Sequence, residues 1–273
     1  MNTKMRRYLK VGGVRLCCVD FGGDGPPVLL LHGLAGRGLE WRESASWLRE
    51  HYHVYALDQR GHGMSDKGLN DYSRDAYVKD VISVIEQLQV QPVLLIGQSM
   101  GGQNAYLVAS RRPDLVCGLI VVEATVSPDP DKPDVQGKIR KWLHSWPLPF
   151  PSLADARAYF GGDTLYAQTW LEILEERSDG FWPQFHFEDM ISSVADQGGH
   201  DYTDEWLRIQ CPALLVGGEK SFLPQEKLCA MAQQLPHARY VQIANADHDL
   251  HLSQPQVWRQ EAEAFLRNLD HIR

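Results

Sequence analysis

"PVLLIGQSMGGQNAYLVASRR", Pro92 to Arg112, joins an unbroken apolar run to a helical pattern through a serine that has a glycine two positions away on either side. An apolar run without alternation suits a strand buried on both faces, as in a parallel sheet covered by helices. A serine on a tight strand-to-helix turn needs small neighbours at those two positions, because the turn brings backbone against backbone. Gly97 and Gly101 meet that need. Such a turn lifts the Ser99 hydroxyl above the C-terminal edge of the sheet, and the following helix aims its N-terminus and the Met100 amide at any negative charge that develops there. Ser99 is therefore the candidate nucleophile.

Working outward, "PPVLLLHG", "HVYALDQRG", "GLIVVEA", "CPALLVGGE" and "RYVQIANA" read as further buried strands, and "YLKVGGVRLCCVDFGG" as an antiparallel hairpin turning at Gly12-Gly13. Helical spacing over 38–51, 74–89, 101–112, 225–235 and 255–269 separates them. The expected fold class is α/β: a doubly wound, mostly parallel eight-stranded sheet with helices on both faces. The alternation breaks between about Ser127 and Ile209. That stretch opens with the proline-rich "SPDPDKPD", continues with short helical patterns such as "LYAQTWLEILEERS" and "FEDMISSVADQ", and holds half of the chain's aromatic residues. The expected organisation is a core domain of residues 1–126 and 210–273 carrying an inserted helical cap, 127–209. Trp142, Trp146, Phe150, Phe160, Trp170, Trp182 and Phe185 supply the cap's own core, and Trp142, Trp146 and Trp170 are candidates to line a substrate pocket.

Composition narrows the function. The 273 residues are 44% hydrophobic, enough to bury a sizeable core, and the net charge of −8 speaks against a nucleic-acid partner, whose phosphates need clustered Lys and Arg. The five cysteines are odd in number and lack metal-ligand spacing, so reduced, mostly buried thiols are expected, with no metal and no cofactor. "MNTKMRRYLKVGG" has no apolar stretch of signal-peptide length, and no apolar run approaches a membrane span. The expectation is a cytoplasmic protein with a small-molecule substrate. Its oligomeric state is open.

These motifs resemble the α/β-hydrolase superfamily over nearly the whole chain. "LLLHGLAG" looks like the family's His-Gly loop, "GQSMG" like its nucleophile turn, "DQRGHGMSD" like its next strand and turn, and "ADHDLHLSQP" like its terminal histidine segment. The resemblance implies that the backbone N–H groups of Leu34 and Met100 form an oxyanion hole and that His32 and His62 fix loops. The superfamily's chain order of nucleophile, acid and histidine makes His248 the base, with His251 a bystander. In many relatives the acid follows the strand that resembles "ALLVGG", yet Lys220 stands at that position. A lysine cannot orient an imidazole or offset its positive charge. Some dehalogenases, lactonases and esterases of the superfamily place the acid after the preceding strand, and there "GLIVVEATVSP" offers Glu123. A carboxylate ending so apolar a run is costly to bury unless paired, and a histidine donor supplies the pair. Glu123 is the first candidate and Glu219 the second; Asp247 and Asp249 flank the base too closely.

Serine with a paired histidine points to acyl transfer onto the serine and then to water. The expected activity is that of a carboxylesterase-like serine hydrolase acting on an ester, lactone or thioester of a small, largely apolar substrate. Two other classes stay open: a cofactor-free dioxygenase or lyase that uses the His-acid dyad for proton abstraction, and a slow-turnover ligand-binding receptor.

Overall fold

The computed structural model describes residues 5–127, 134–195 and 200–270. The two N-terminal runs form strands β1 (Arg6–Val11) and β2 (Val14–Gly22), paired antiparallel around Gly12-Gly13. Strands β3 (Pro27–Leu31) and β4 (His53–Asp58) follow, with helix α1 (Arg42–Leu48) between them and α2 (Arg74–Leu88) after them. Strand β5 (Val93–Gln98), helix α3 (Met100–Arg111) and strand β6 (Val116–Val122) complete the first half. The helical pattern over 38–51 divides into a single 3-10 turn, Gly38–Trp41, and α1.

Leaving β6, the chain makes α4 (Val135–His144), α5 (Leu153–Tyr159), α6 (Leu165–Leu171), the strands β7 (Leu174–Arg177) and β8 (Gly180–Pro183), α7 (Phe187–Ser192) and α8 (Thr203–Trp206). It then returns through β9 (Ala213–Gly218), α9 (Gln225–Gln233), β10 (Ala238–Ile243), α10 (Leu250–Ser253) and α11 (Pro255–Asp270). Among the described residues eight strands make one sheet in the order β1-β2-β4-β3-β5-β6-β9-β10. Every pairing from β4 to β10 is parallel, so the α/β expectation holds.

The near-continuous apolar strands are buried on both faces because successive side chains point to opposite sides. Leu29, Leu31, Leu95, Leu119 and Leu215 pack under α2, α3 and α9. Val28, Leu30, Ile96, Ile120 and Val216 pack under α1 and α11 with Trp41 and Trp258. A third cluster, separate from both, holds Leu143, Trp146, Phe150, Phe160 and Phe185 between β6 and β9 in the sequence. Tyr202, Trp206 and Ile209, at the end of that segment, belong instead to the core beneath the sheet, where the Trp206 indole N–H donates to the Met231 carbonyl at 2.8 Å.

Three helices of the segment begin on polar caps, with Asp134, Ser152 and Thr164 side chains each accepting a backbone N–H three residues on. Each such cap contributes about 1 kcal/mol. One expectation fails here. The helical pattern "LYAQTWLEILEERS" is a helix only to Leu171; from Leu174 it is a strand of the β7–β8 hairpin. The two-residue loop Ser178-Asp179 before Gly180 sets the turn, and Arg177 lies 5.5 Å from the Trp182 ring centre across the pair. Most of "SPDPDKPD" lies outside the described residues.

Glu172, just past α6, ties this segment to the loop after β3: its carboxylate accepts from Arg37 at 2.6 Å and from Arg42 at 2.5 Å. Burial alone would raise its pKa, but the Arg42 and Arg37 guanidinium groups hold it below the usual glutamate value. A depressed carboxylate pKa contributes stability that is present above the unfolded value and lost as pH falls through the folded one. Glu172→Gln is therefore expected to lower stability by about 1 kcal/mol near neutral pH, with the difference from the parent vanishing in acid. Thermal melts across pH 3 to 7 check it, a range set by the ordinary glutamate value of about 4.3.

Candidate active site

The site is built where β5 and β6 end. All six residues of β5 are buried, and the chain turns sharply at Ser99, with φ 52° and ψ −117°, into α3. The turn tolerates no side chain at its flanks: a Cβ on Gly97 would lie 2.2 Å from the Gly101 carbonyl oxygen, and one on Gly101 2.3 Å from that of Leu31. The Ser99 N–H donates to the Val122 carbonyl at 2.8 Å, which locks the turn against β6. Being first in α3, Met100 has no carbonyl four residues back within the helix to receive its N–H, which leaves that amide for a bound oxygen.

Gln98 and Val122 are register partners, so Ser99 and Glu123 stand side by side past the ends of adjacent strands. Both take positive φ, 52° and 55°. Such conformations cost a non-glycine residue about 1–3 kcal/mol and cluster at functional sites. Glu123 is only 1% exposed, and three donors converge on its carboxylate. The Gly218 N–H reaches Oε1 at 2.5 Å, the Ser221 hydroxyl donates to Oε2, and His248 Nδ1 lies 3.0 Å from Oε2. Burial without those donors would be prohibitive for a charged group.

The other candidates fall elsewhere. Lys220 and Glu219 are exposed, and the Glu219 carboxylate accepts the Asn245 N–H at 2.8 Å, bracing the turn before His248 without reaching its ring. His251 is buried against Trp41, the rings 4.4 Å apart, with Nε2 3.6 Å from Glu40. His32 is buried and doubly engaged: Nδ1 meets the Gly33 carbonyl at 2.7 Å and Nε2 accepts the Gln59 N–H at 3.0 Å. Burial drives the His62 pKa well below its ordinary value, helped by His32, so its ring stays neutral. Asp247 accepts from the Asp249 N–H and the Ser253 hydroxyl, and Asp249 from the Gln98 amide at 3.2 Å. Burial raises the Asp249 pKa.

Ser99, Met100, Leu34, Glu123 and His248 all line one cavity of about 750 Å³. Its walls come from the segment just after Glu123 (Ala124 to Ser127), one face of α4, α6, and the loop before α9. Trp142 and Trp170 line it. Trp146 does not: it lies just past the end of α4, 5% exposed, enclosed by the rings of Trp142, Phe160, Trp170 and Phe185. Sequence reasoning also passed over several residues of the site. Ser221 bonds the Glu123 carboxylate, the Phe222 ring lies 4.4 Å from that of His248, and the Tyr166 phenol lines the wall, its pKa pushed up to about 12 by burial and by Asp249. No local signal in "GGEKSFLP" singles out Ser221, since a loop serine is ordinary and its partner lies 98 positions away. Among the described residues no three His, Cys, Asp or Glu side chains are grouped to hold a metal, and no helix is long and apolar enough to cross a membrane.

Comparison with known proteins adds to this geometry. Residues 28–261 match the model described as the alpha/beta hydrolase family. An (E)-2-((N-methylformamido)methylene)succinate hydrolase of Acinetobacter baylyi is 27% identical over 260 residues, covering 89% of this chain and 91% of its own. A putative carbamate hydrolase of Pseudomonas syringae is also 27% identical, over 251 residues, 89% of this chain and 94% of that one. Among solved structures, an E-2-(acetamidomethylene)succinate hydrolase superposes with a TM-score of 0.85 at 22% identity, covering 96% of this chain and 98% of its own. The thioesterase domain from a curacin biosynthetic pathway superposes at 0.74 with 27% identity, over 93% and 97% of the two chains.

Proposed function

Because the chain belongs to the alpha/beta hydrolase family, and two of its relatives are named as a hydrolase and a putative hydrolase, we propose that it is a serine hydrolase working through an acyl-enzyme. Ser99 is the nucleophile, His248 the base and Glu123 the acid. The observation that carries this reading is the pairing of His248 Nδ1 with the buried Glu123 carboxylate at 3.0 Å, in a cavity that Ser99 also lines. With Nδ1 held by an anion, the proton on that nitrogen is fixed and Nε2 is left to take the Ser99 proton. The serine oxygen adds to the substrate carbonyl, and the N–H groups of Leu34 and Met100 receive the oxyanion. His248 then hands the proton to the departing group, and a water repeats the sequence to release the acid.

The substrate is small and carries a carboxylic ester, lactone or thioester. Relatives named as hydrolases of amidomethylene succinates and of carbamates widen the assay to amides and carbamates. The segment 127–209 serves as the lid, and Trp142 and Trp170 meet the substrate's apolar part. Trp142→Ala and Trp170→Ala are expected to shift the preference between short and long acyl chains by on the order of tenfold, since a methylene in an apolar pocket is worth about that much. Relative kcat/KM over an ester series checks it.

The test of the whole reading is covalent. A fluorophosphonate probe should label the parent chain at Ser99, and quenched turnover of the best substrate should show an acyl adduct by intact mass. Absence of both, with oxygen uptake or proton exchange in their place, would replace the hydrolytic reading by the dyad-only one.

A further inference from the structure

Helix α4 turns one face into the cavity: Val135, Lys138, Ile139 and Trp142, at the three- and four-residue spacing that keeps side chains together on a helix. Three of the four are apolar, and Lys138 is the exception. Two of the charges next to it are engaged. Arg140, on another face, is paired with Glu188 at 2.7 Å, and Asp134 caps the helix by accepting the Gly137 N–H at 2.7 Å. No acidic side chain lies within ion-pair distance of Lys138 among the described residues. Lys227 of α9 and His200 also line the cavity, so cationic or protonatable groups come to it from three separate elements. The acids at its wall are engaged: Glu123 by three donors, Asp247 by two, Asp249 by the Gln98 amide.

We propose that this cavity accepts a substrate bearing a carboxylate, and that Lys138 receives that group while the scissile carbonyl sits at Ser99. The inference rests on the hydrolase reading above and names its substrate class. Lys138 is itself exposed, where the largely apolar lining of the cavity meets solvent, so its attraction for an anion is partly screened and grows as the anion docks beside the apolar wall. A carboxylate that lost its water on entering would find a donor in Lys138, and a neutral group of the same shape would not.

The experiment compares half-esters with their methyl-capped counterparts. One series, 4-nitrophenyl hydrogen succinate, glutarate and adipate, places the carboxylate on the acyl side; O-acetyl glycolate and O-acetyl lactate place it on the alcohol side. The parent enzyme is expected to favour the best anionic compound over its capped form by about tenfold in kcat/KM, the size of one hydrogen bond to a charged group. That ratio should fall toward unity in Lys138→Met and invert in Lys138→Glu. Raising the salt from 0.02 to 0.5 M should erode it in the parent alone, these concentrations being chosen to span Debye lengths from roughly 20 Å to 4 Å. Binding of the same pairs to Ser99→Ala by calorimetry supplies a readout free of turnover.

Equal use of anionic and capped substrates in both series, or a ratio unmoved in both Lys138 variants, overturns the inference and leaves the hydrolase reading intact. Should no compound be turned over and the fluorophosphonate probe leave Ser99 unlabelled, the hydrolase reading falls, and selective binding of the anionic forms to Ser99→Ala that is lost on adding Lys138→Met still upholds the carboxylate site. Equal binding of both forms there overturns the site as well.

Discussion

Ser99→Ala is expected to lower kcat on the best substrate by about a millionfold while leaving the melting temperature within a few degrees of the parent, because the hydroxyl supplies chemistry and little packing. The strain at φ 52° belongs to the backbone and is as tolerable for alanine as for serine. Steady-state rates, with a burst experiment to exclude contaminating esterase, make the measurement. Retention of more than a few per cent of activity would show that no acyl-serine lies on the path. His248→Ala is expected to follow Ser99→Ala closely, because the two act as one unit.

Glu123→Gln is expected to cost roughly ten-thousandfold in kcat, the penalty for replacing a triad carboxylate by its amide. The amide keeps the side chain's size, but its NH₂ group faces a donor in either orientation: the Gly218 N–H at one oxygen position, or the Ser221 hydroxyl and His248 Nδ1 at the other. Both orientations remove the charge that would offset the imidazolium. Ser221→Ala, which removes one neutral donor and leaves the anion, is expected to cost only about tenfold. Glu219→Gln should retain most activity, since its carboxylate braces the Asn245 turn. If Glu219→Gln were the crippling change and Glu123→Gln the mild one, the acid would lie in the loop after β9.

How much of this was readable beforehand depended on the range of the forces involved. The turn at Ser99 was legible because its constraint is local: two glycines that cannot carry a Cβ, between a buried run and a helix. The sheet was legible because strands buried on both faces admit hardly any polar residue. Glu123 stood out as the polar residue that broke such a run. Ser221 was not legible, since its partner lies 98 positions away and a serine in a loop needs no explanation. The β7 strand was misread because Ile173 and Leu174 continue the apolar spacing of α6, and the two-residue loop that favours a hairpin lies beyond them. Trp146 stands four positions after Trp142, a spacing that would keep both on one helix face, but α4 ends at His144 and the Trp146 ring packs into the aromatic cluster instead.

One consequence concerns how this protein can change. Glu123 is followed without a break by Ala124, Thr125, Val126 and Ser127, all of which line the cavity. The carboxylate that would polarise the imidazole and one wall that would shape the substrate are thus consecutive beads on a single string. Substitutions from 124 to 127 must alter rate and selectivity together, because any backbone adjustment there is transmitted to a residue already held at positive φ. The walls on α4 and α6 reach the cavity from elements that carry no part of the His248–Glu123 pair. Natural drift or a directed library can therefore explore new substrates on those two helices at little catalytic cost, and the stem after Glu123 should be the stretch that selection leaves alone.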